Sequence, residues 1–165
     1  MPRYQPTGNL RAWLVPTVSS IAAPTVAEIT AGTDITSFMP RSGLSTPRSF
    51  NTTDTSSIQS LDDTAAVGTR GGDVFPLTFY RDNTGASDTA WNTILEDTAW
   101  YLVIRDAKSS AAGGSTAAVA TSDKVRVYPV SVGAQQPTDP AADAEATFTA
   151  SLVVTSVPNL HAVVA

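Results

Sequence analysis

Two stretches of the chain alternate between apolar and polar residues, and this period of two limits what they can form. In 74–81, Phe and Leu alternate with Pro, Thr and Tyr, and in 146–155, Phe, Ala, Leu and Val alternate with Thr and Ser. Because successive side chains of a strand point to opposite faces, both stretches are predicted to be strands with one buried face. Pro76 has no backbone N–H, which indicates an edge strand or a bulge.

Further runs lie between clusters of Gly, Pro, Asn and Asp, and they also predict strands; all but 48–52 are mainly apolar. These runs are 10–15, 35–39, 48–52, 100–105, 124–132 and 160–164. The run 100–105 is apolar on both faces, which is typical of a strand buried between a sheet and a helix. In 124–132 the valines occupy odd positions before Pro129 and even positions after it, which predicts a bulge or bend.

A capping box predicts a short helix that begins near residue 26. Thr25 and Glu28 have the spacing at which a hydroxyl and a carboxylate each accept a hydrogen bond from a backbone N–H. Gly32 is then predicted to end this helix in a left-handed turn, because glycine adopts that conformation without steric cost.

A second helix is predicted over 89–97, with Ser87 or Asp88 as its N-cap. Its narrow apolar stripe has i, i+3, i+4 spacing and consists of Trp91, Ile94 and Leu95. A stripe of this width is expected to lie against a sheet.

The segment 40–73 differs from the rest of the chain because it is rich in Ser, Thr and Gly and poor in large apolar residues. It is predicted to be a long extended loop that stays mobile in a monomer and orders on assembly. Residues 1–9 form a polar, Pro-rich N-terminal arm. Together these features predict one domain over 1–165 of the mainly β class. The expected architecture is a β-sandwich or partly closed barrel with one flanking α-helix and a long extended loop.

The residue inventory excludes several kinds of chemistry. The chain has no cysteine and one histidine, His161. Disulfides, thiolate metal sites and cysteine nucleophiles are therefore impossible, and a lone histidine in a tail is a poor general base. Nucleophile-elbow and phosphate-binding glycine motifs are missing from the sequence. We therefore expect a non-enzymatic protein with no catalytic residue, no cofactor and no metal.

The acidic residues leave one enzymatic alternative open. The net charge is −5, which works against tight binding of phosphates. The pair Asp62–Asp63 lacks the spacing of a calcium-binding loop, and Glu96–Asp97 is expected to face water or an arginine. Two carboxylates can hydrolyse a glycosidic bond, so a small hydrolase that uses Asp62 and Asp63 stays open. No apolar run reaches the roughly 20 residues that span a bilayer, so no membrane insertion is expected.

Three tryptophans are candidates for either the core or an interface. Trp91 and Trp100 lie on predicted inward faces and are expected in the core. Trp13 lies near the N-terminal arm and fits a core position and a contact with another subunit equally well.

Three stretches resemble the major tail tube proteins of long-tailed, siphovirus-type bacteriophages. The first, 23–36, reads as a short helix that leads into a strand; the others are 75–105 and 148–154, the latter followed by Pro158. The resemblance covers most of the chain and consists of the order and composition of elements rather than an invariant motif. It implies a β-sandwich with a flanking helix.

The resemblance also implies a structural virion protein of the phage tail. Six copies form a ring, four strands per subunit join into a continuous inner barrel, and stacked rings form the tube that delivers DNA into the host. The implied partners are further copies of the chain, the tail tip or initiator, the terminator and the tape-measure protein. Double-stranded DNA passes through the lumen non-specifically. The implied place of assembly is the host cytoplasm.

Under this resemblance, the arm and the loop 40–73 are expected to make contacts within and between rings. The residues expected there are Trp13, Arg48, Phe50, Ile58, Leu61 and Arg70. The polar face of the strand at 147–155 is neutral and hydrophilic, and it is expected to face the lumen through Thr147, Thr149 and Ser151. An acidic lining would likewise repel DNA phosphates. The alternative interpretation is an Ig-like β-sandwich that binds or decorates a virion or cell surface.

Overall fold

The computed structural model describes residues 9–59, 61–62, 64–70, 73–82, 88–106, 117–138 and 144–165. This part of the chain contains nine strands and two short α-helices. The strands are β1 (Arg11–Val15), β2 (Thr33–Asp34), β3 (Phe50–Asp54), β4 (Ala65–Arg70), β5 (Val74–Tyr80), β6 (Ala99–Arg105), β7 (Lys124–Thr138), β8 (Thr147–Val154) and β9 (Asn159–Val163). The helices are α1 (Val26–Ala31) and α2 (Thr89–Thr93), and a 3₁₀ turn spans Thr36–Phe38.

Seven strands form one antiparallel sheet in the order β2-β1-β6-β7-β8-β5, with β9 also paired to β7. The long strand β7 pairs with β6 and then with β8, and the β8 pairing shifts register between Val132 and Gln135. The sheet bends so that its two halves face each other across a core. In this core the ring centroids of Phe75 on β5 and Tyr128 on β7 lie 5.1 Å apart. The predicted fold class is therefore confirmed as mainly β, with a sandwich rather than a closed barrel. Strand β5 ends the sheet, as Pro76 indicated.

The two faces of the sheet bury two separate apolar clusters. The main core lies between the two halves of the sheet and consists of Ala12, Leu14, Ile35, Phe75, Leu77, Phe79, Ala90, Ile94, Leu102, Ile104, Tyr128, Val130, Val132, Phe148, Ala150 and Leu152. The second core lies on the opposite face and consists of Trp13, Val15, Val18, Ile29, Val103, Val125, Val127, Ala162 and Val164. Helix α1 covers this second core through Ile29.

Strand β6 separates the two cores, which confirms that the run 100–105 is buried on both faces over 102–105. The same arrangement corrects the bulge predicted at Pro129. Strands β6 and β7 pair without a register shift through Tyr101↔Pro129. Tyr128 faces the main core and Val127 the second, so consecutive apolar residues reflect two buried faces and not a change of phase.

Helix α1 has the predicted cap but a different end. The Glu28 N–H donates to the Thr25 hydroxyl at 3.2 Å, and the Thr25 N–H donates to the Glu28 carboxylate at 2.8 Å. Gly32 is extended, with φ −77° and ψ 168°, and not left-handed as predicted. Its role is close packing, since a Cβ atom there would lie 2.6 Å from the Leu14 carbonyl oxygen.

Helix α2 is shorter than predicted because it ends at Thr93 instead of continuing to residue 97. Ile94 still enters the main core, but Leu95 lies beyond the helix and is 51% exposed, so the predicted stripe is wrong at Leu95. Asp88 occupies the N-cap position without capping. Its carboxylate instead accepts a 2.6 Å hydrogen bond from Arg81 Nε.

The prediction of a strand at 35–39 is also wrong, because the chain forms a 3₁₀ turn there. The Thr36 N–H donates to the Asp34 carboxylate at 3.0 Å, and the chain then turns through Thr36–Phe38. A short polar side chain that binds the backbone two residues on competes with the strand ladder, which explains this turn. Ile35 nevertheless enters the main core, as an apolar run suggests.

Candidate assembly surfaces

One open face of the sandwich carries hydroxyl groups in rows across three strands. Thr147 pairs with Tyr80 and Thr138, and Thr149 pairs with Thr78 and Gln136. Residues directly opposite in antiparallel strands share a face. We call the side chains on this face the hydroxyl face; they are Val74, Pro76, Thr78, Tyr80, Gln136, Thr138, Thr147, Thr149, Ser151 and Val153.

Among the described residues of β5, β8 and the end of β7, the hydroxyl face has no charged side chain. The inward side chains of β8 are Phe148, Ala150 and Leu152, which are fully buried, so the alternation predicted for 146–155 is confirmed. The outward residues Thr147, Thr149 and Ser151 are half-buried. Such a surface can hydrogen-bond water and has no cation that would hold a phosphate.

A two-stranded sheet projects from the segment 40–73, where a loop with one short strand was predicted. Strands β3 and β4 pair antiparallel, with Thr52 opposite Val67 and Asp54 opposite Ala65. The Thr55 N–H donates to the Thr64 carbonyl at 2.8 Å and extends this hairpin beyond the strands. All residues of β3 are exposed, so the hairpin has no core of its own.

The hairpin carries an unusual share of the exposed large apolar side chains. Phe50 and Val67 are 56% and 72% exposed, and Ile58 and Leu61 near the tip are fully exposed. Exposed apolar side chains that lie close together are typical of surfaces that contact other proteins.

The base of the hairpin is held by Asp73. One carboxylate oxygen accepts hydrogen bonds from the Ser49 N–H at 2.9 Å and the Ser49 hydroxyl at 3.0 Å. The other lies 3.6 Å from Arg48 Nε, and the Asp73 side chain is 8% exposed. The Ser49 N–H, its hydroxyl and the Arg48 guanidinium together hold the pKa of Asp73 below its ordinary value.

The segment 40–49 that precedes the hairpin is packed onto the sandwich. The Thr78 N–H of edge strand β5 donates to the Gly43 carbonyl at 3.1 Å. A Cβ atom on Gly43 would lie 2.6 Å from the Thr78 carbonyl oxygen, so glycine is required for this approach. Leu44 packs against the main core. The described part of the predicted loop is therefore two structures, a packed strap (40–49) and a projecting hairpin (the described residues of 50–70).

Trp13 occupies the core position, one of the two alternatives that its place near the N-terminal arm left open. Its side chain is 4% exposed in the second core. The guanidinium carbons of Arg11 and Arg105 lie 5.2 and 5.6 Å from its ring centroid. Trp91 and Trp100 are partly buried against the main core, in agreement with their predicted positions.

The other residues expected at contacts lie in or beside the hairpin. Phe50, Ile58 and Leu61 are exposed, whereas Arg48 is occupied by Asp73. Arg70 ends β4, and its side chain lies outside the described part of the chain, as do residues 1–8 of the arm. Sequence reasoning missed Asp73, Gln136 and Thr138. Only the period of two in 74–81 could have placed Thr78 and Tyr80 on the hydroxyl face.

The polar residues that the sequence singled out, where they are described, lie on different elements of the fold. His161 is exposed on β9, Asp62 is exposed near the hairpin tip, and Asp63 lies outside the described residues. Within the described ranges, no group of three or more His, Asp or Glu side chains is placed to hold a metal ion. No helix among these residues has the length and apolar character needed to cross a membrane.

Comparisons with known proteins give a family for this chain and two chains of similar fold. The family model described as phage tail tube protein matches residues 1–165. The fold is similar to the sheath/tube terminator of an extracellular contractile injection system, with 12% identity, a TM-score of 0.58 and coverage of 96% of this chain and 98% of that one. It is also similar to a chain of the anti-feeding prophage baseplate, with 12% identity, a TM-score of 0.57 and coverage of 96% of both chains. No curated protein matches the sequence. The match over the whole chain shows that this protein belongs to the phage tail tube protein family and is a structural component of the virion tail.

Proposed function

We propose that six copies of the chain form a ring and that stacked rings form a tail tube whose lumen is lined by the hydroxyl face. The observation that carries this proposal is the absence of charge across the described part of β5, β8 and the end of β7. Thr147, Thr149 and Ser151 are the lining residues at its centre. Six-fold order is also the symmetry named for the anti-feeding prophage baseplate, which contains a chain of similar fold.

A neutral hydroxyl lining suits the passage of double-stranded DNA. Lysine or arginine side chains would bind phosphates through counterion release, and each contact would slow transport. The residues of the chain suggested either a neutral or an acidic lining, and the uncharged hydroxyl face supports the neutral one. DNA then passes without a specific contact, and the chain acts as a conduit and not as an enzyme.

The opposite side of the sandwich is the outer surface of the proposed tube. Because one face of the bent sheet encloses the main core, the other face points outward on both halves. The hydroxyl face covers one half, and helix α1 covers the other through Ile29. A tube wall one subunit thick therefore has the hydroxyl face inside and α1 outside.

Contacts between subunits are assigned to the hairpin and the N-terminal arm. The contributing side chains are Phe50, Ile58, Leu61 and Arg70. Arg48 contributes indirectly, through its ion pair with Asp73 at the base of the hairpin. Burial of one large apolar side chain stabilises a contact by roughly 1.5–3 kcal/mol. Residues 1–9 and 40–73 are the assembly segments of a single domain over 1–165. The tail tip, terminator and tape-measure proteins are the other proposed partners.

Single cysteines test this arrangement cleanly because the natural chain has none. Thr149→Cys marks the proposed lumen, and Thr30→Cys, on the exposed side of α1, is the matched control. In assembled tubes, a small maleimide is expected to label both positions. A maleimide attached to a globular protein wider than the lumen is expected to label only the Thr30 variant.

Equal labelling of both positions by the large reagent would contradict the assignment of the lumen. Electron microscopy of the same preparations shows whether tubes form at all. Absence of tubes from concentrated protein and from the tail shaft of the virion would contradict the tube itself. The family match already disfavours the Ig-like alternative, which predicts a stable monomer under all these conditions.

A further inference from the structure

Two chain segments lead into and out of the hairpin, and we call them its stems. Asp73 joins the two stems across the base of the hairpin. Ser49 lies immediately before β3, and Asp73 lies shortly after β4, at a sequence separation of 24 residues. The Ser49 N–H and the Ser49 hydroxyl donate hydrogen bonds to one oxygen of this carboxylate, and Arg48 Nε forms an ion pair with the other oxygen at 3.6 Å. Hydrogen bonds to an ionised acceptor are roughly twice as strong as neutral ones, so these contacts close the base firmly.

The same residue ties the hairpin to the sandwich. The Asp73 carbonyl accepts a 3.1 Å hydrogen bond from the Val154 N–H at the end of β8. On the other stem, Gly43 is bound to Thr78, and Thr46 lies 3.5 Å from an Arg126 guanidinium nitrogen on β7. Both stems are therefore fixed to strands of the main sheet, and this sets the direction in which the hairpin leaves the subunit.

An isolated two-stranded hairpin is only marginally stable in water. A hairpin without a core therefore needs either a partner or a closed base to stay ordered. The sequence alone favoured the first possibility, a mobile loop that orders on assembly. The contacts at Asp73 supply the second, because they close the base within a single subunit.

We propose that Asp73 is a positioning residue that holds the hairpin ready for assembly in the isolated subunit. This inference depends on the proposed role of the hairpin in contacts between subunits. A segment that is already ordered loses less conformational freedom when it binds, so the clamp accelerates the addition of each subunit. The partner of the positioned hairpin is a second copy of this chain.

Hydrogen exchange of the isolated subunit tests the first half of the proposal. In the wild type, backbone amides of β3 and β4 that pair across the hairpin are expected to be protected. Asp73→Ala should raise their exchange about tenfold or more, as expected for loss of hydrogen bonds to a charged group, while amides of β6 and β8 change little. Asp54→Asn is the matched control, because Asp54 lies in β3 and accepts from Ser56 rather than from the stems.

Ser49→Ala provides a milder variant should Asp73→Ala impair folding. Ser49 is exposed, and alanine removes the hydroxyl donor while it keeps the N–H donor. Exchange in the hairpin should then rise about two- to fivefold. Unprotected hairpin amides in the wild type, or unchanged exchange in both variants, would overturn the clamp.

Tube elongation from preformed seeds tests the second half. At equal subunit concentration, Asp73→Ala should elongate about tenfold more slowly than the wild type, and Ser49→Ala severalfold more slowly. A loosened hairpin with elongation at the wild-type rate would overturn the role in assembly. Wild-type elongation is measured in the same experiment, so loss of the clamp and failure of the tube hypothesis give different results.

Discussion

The chain contains two antiparallel sheets that are stabilised in different ways. The seven-stranded sheet encloses a core to which β1, β5, β6, β7 and β8 all contribute fully buried side chains. The hairpin β3–β4 has no buried side chain among its described residues, and its ends are held by polar contacts at Asp73 and Gly43. The first sheet buries its apolar side chains within one subunit, whereas in the proposed tube the second is buried by another copy of the chain.

This difference separates folding from assembly within one polypeptide. Substitutions in the main core should alter the free energy of unfolding, and substitutions on the hairpin should alter the association of subunits. The two-stranded sheet is also protected from edge-to-edge aggregation, because its exposed edges are short and lie on a polar projection. The following experiments test the separation, beginning with the largest expected effect.

Two phenylalanines provide the sharpest contrast. Phe148 is fully buried, with the rings of Phe79 and Trp91 at 5.2 and 5.0 Å, so Phe148→Ala should lower the free energy of unfolding by about 3–5 kcal/mol. Phe50→Ala on the exposed hairpin should change it by less than about 0.5 kcal/mol. Urea unfolding of the isolated subunits measures both. Similar losses for the two variants would mean that the hairpin belongs to the folded core.

The hairpin tip should show the opposite behaviour. Replacing Ile58 and Leu61 by serine removes two fully exposed apolar side chains, and each is worth roughly 1.5–3 kcal/mol if a contact buries it. The concentration needed for tube formation should rise at least about tenfold, with unchanged subunit stability. Val157→Ser, at an exposed position between β8 and β9, is the control. Normal assembly of the tip variant would remove the tip from the interface.

A positive charge on the hydroxyl face should affect DNA passage and not assembly. Thr149→Lys adds a cation to the lining of every subunit, and DNA release from purified virions should slow severalfold at low salt. The effect should diminish as salt rises, because the screening length falls from about 10 Å at 0.1 M to about 3 Å at 1 M. Thr30→Lys on α1 should leave release unchanged. Equal effects of both lysines would argue against a lumen at Thr149.

The smallest effect concerns Glu28, whose pKa is lowered to about 2 by hydrogen bonds from the Ser19 hydroxyl and the Thr25 N–H. A lowered pKa in the folded state contributes stability above the unfolded pKa of about 4.3, and this contribution is lost as the pH falls towards 2. Glu28→Gln should therefore lower Tm at pH 7 by a few degrees at most and have less effect at pH 3. A difference in Tm that is independent of pH would contradict this role of the charge.

Local patterns in the sequence predicted much of the main sheet. The period of two found β5 and β8, and Thr25 with Glu28 predicted the cap of α1. The missing N–H of Pro76 indicated either an edge strand or a bulge, and β5 lies at the edge. These predictions succeeded because each depends on residues close in sequence. The bulge at Pro129 was wrong because the pattern could not show that both faces of β7 are buried.

The assembly surfaces were predictable only in part. The neutral character of Thr147, Thr149 and Ser151 follows from the sequence. Their cross-strand pairing with Thr138 and Gln136 depends on the register of β7 and could not be read from it. The clamp at Asp73 joins residues 24 positions apart, and no local pattern signals it. Arg105 is a similar case, since a charged residue at the end of an apolar strand is fully buried beside Asp123 at 3.3 Å.

The most direct test of the central claim is a reconstruction of the assembled tube by electron cryomicroscopy. The account predicts six-fold rings in which Thr147, Thr149 and Ser151 line the lumen and the hairpin 50–70 packs against a neighbouring copy. Helix α1 should lie on the outer surface. A tube with α1 towards the lumen and the hydroxyl face outside, or with the hairpin free of any neighbour, would contradict it.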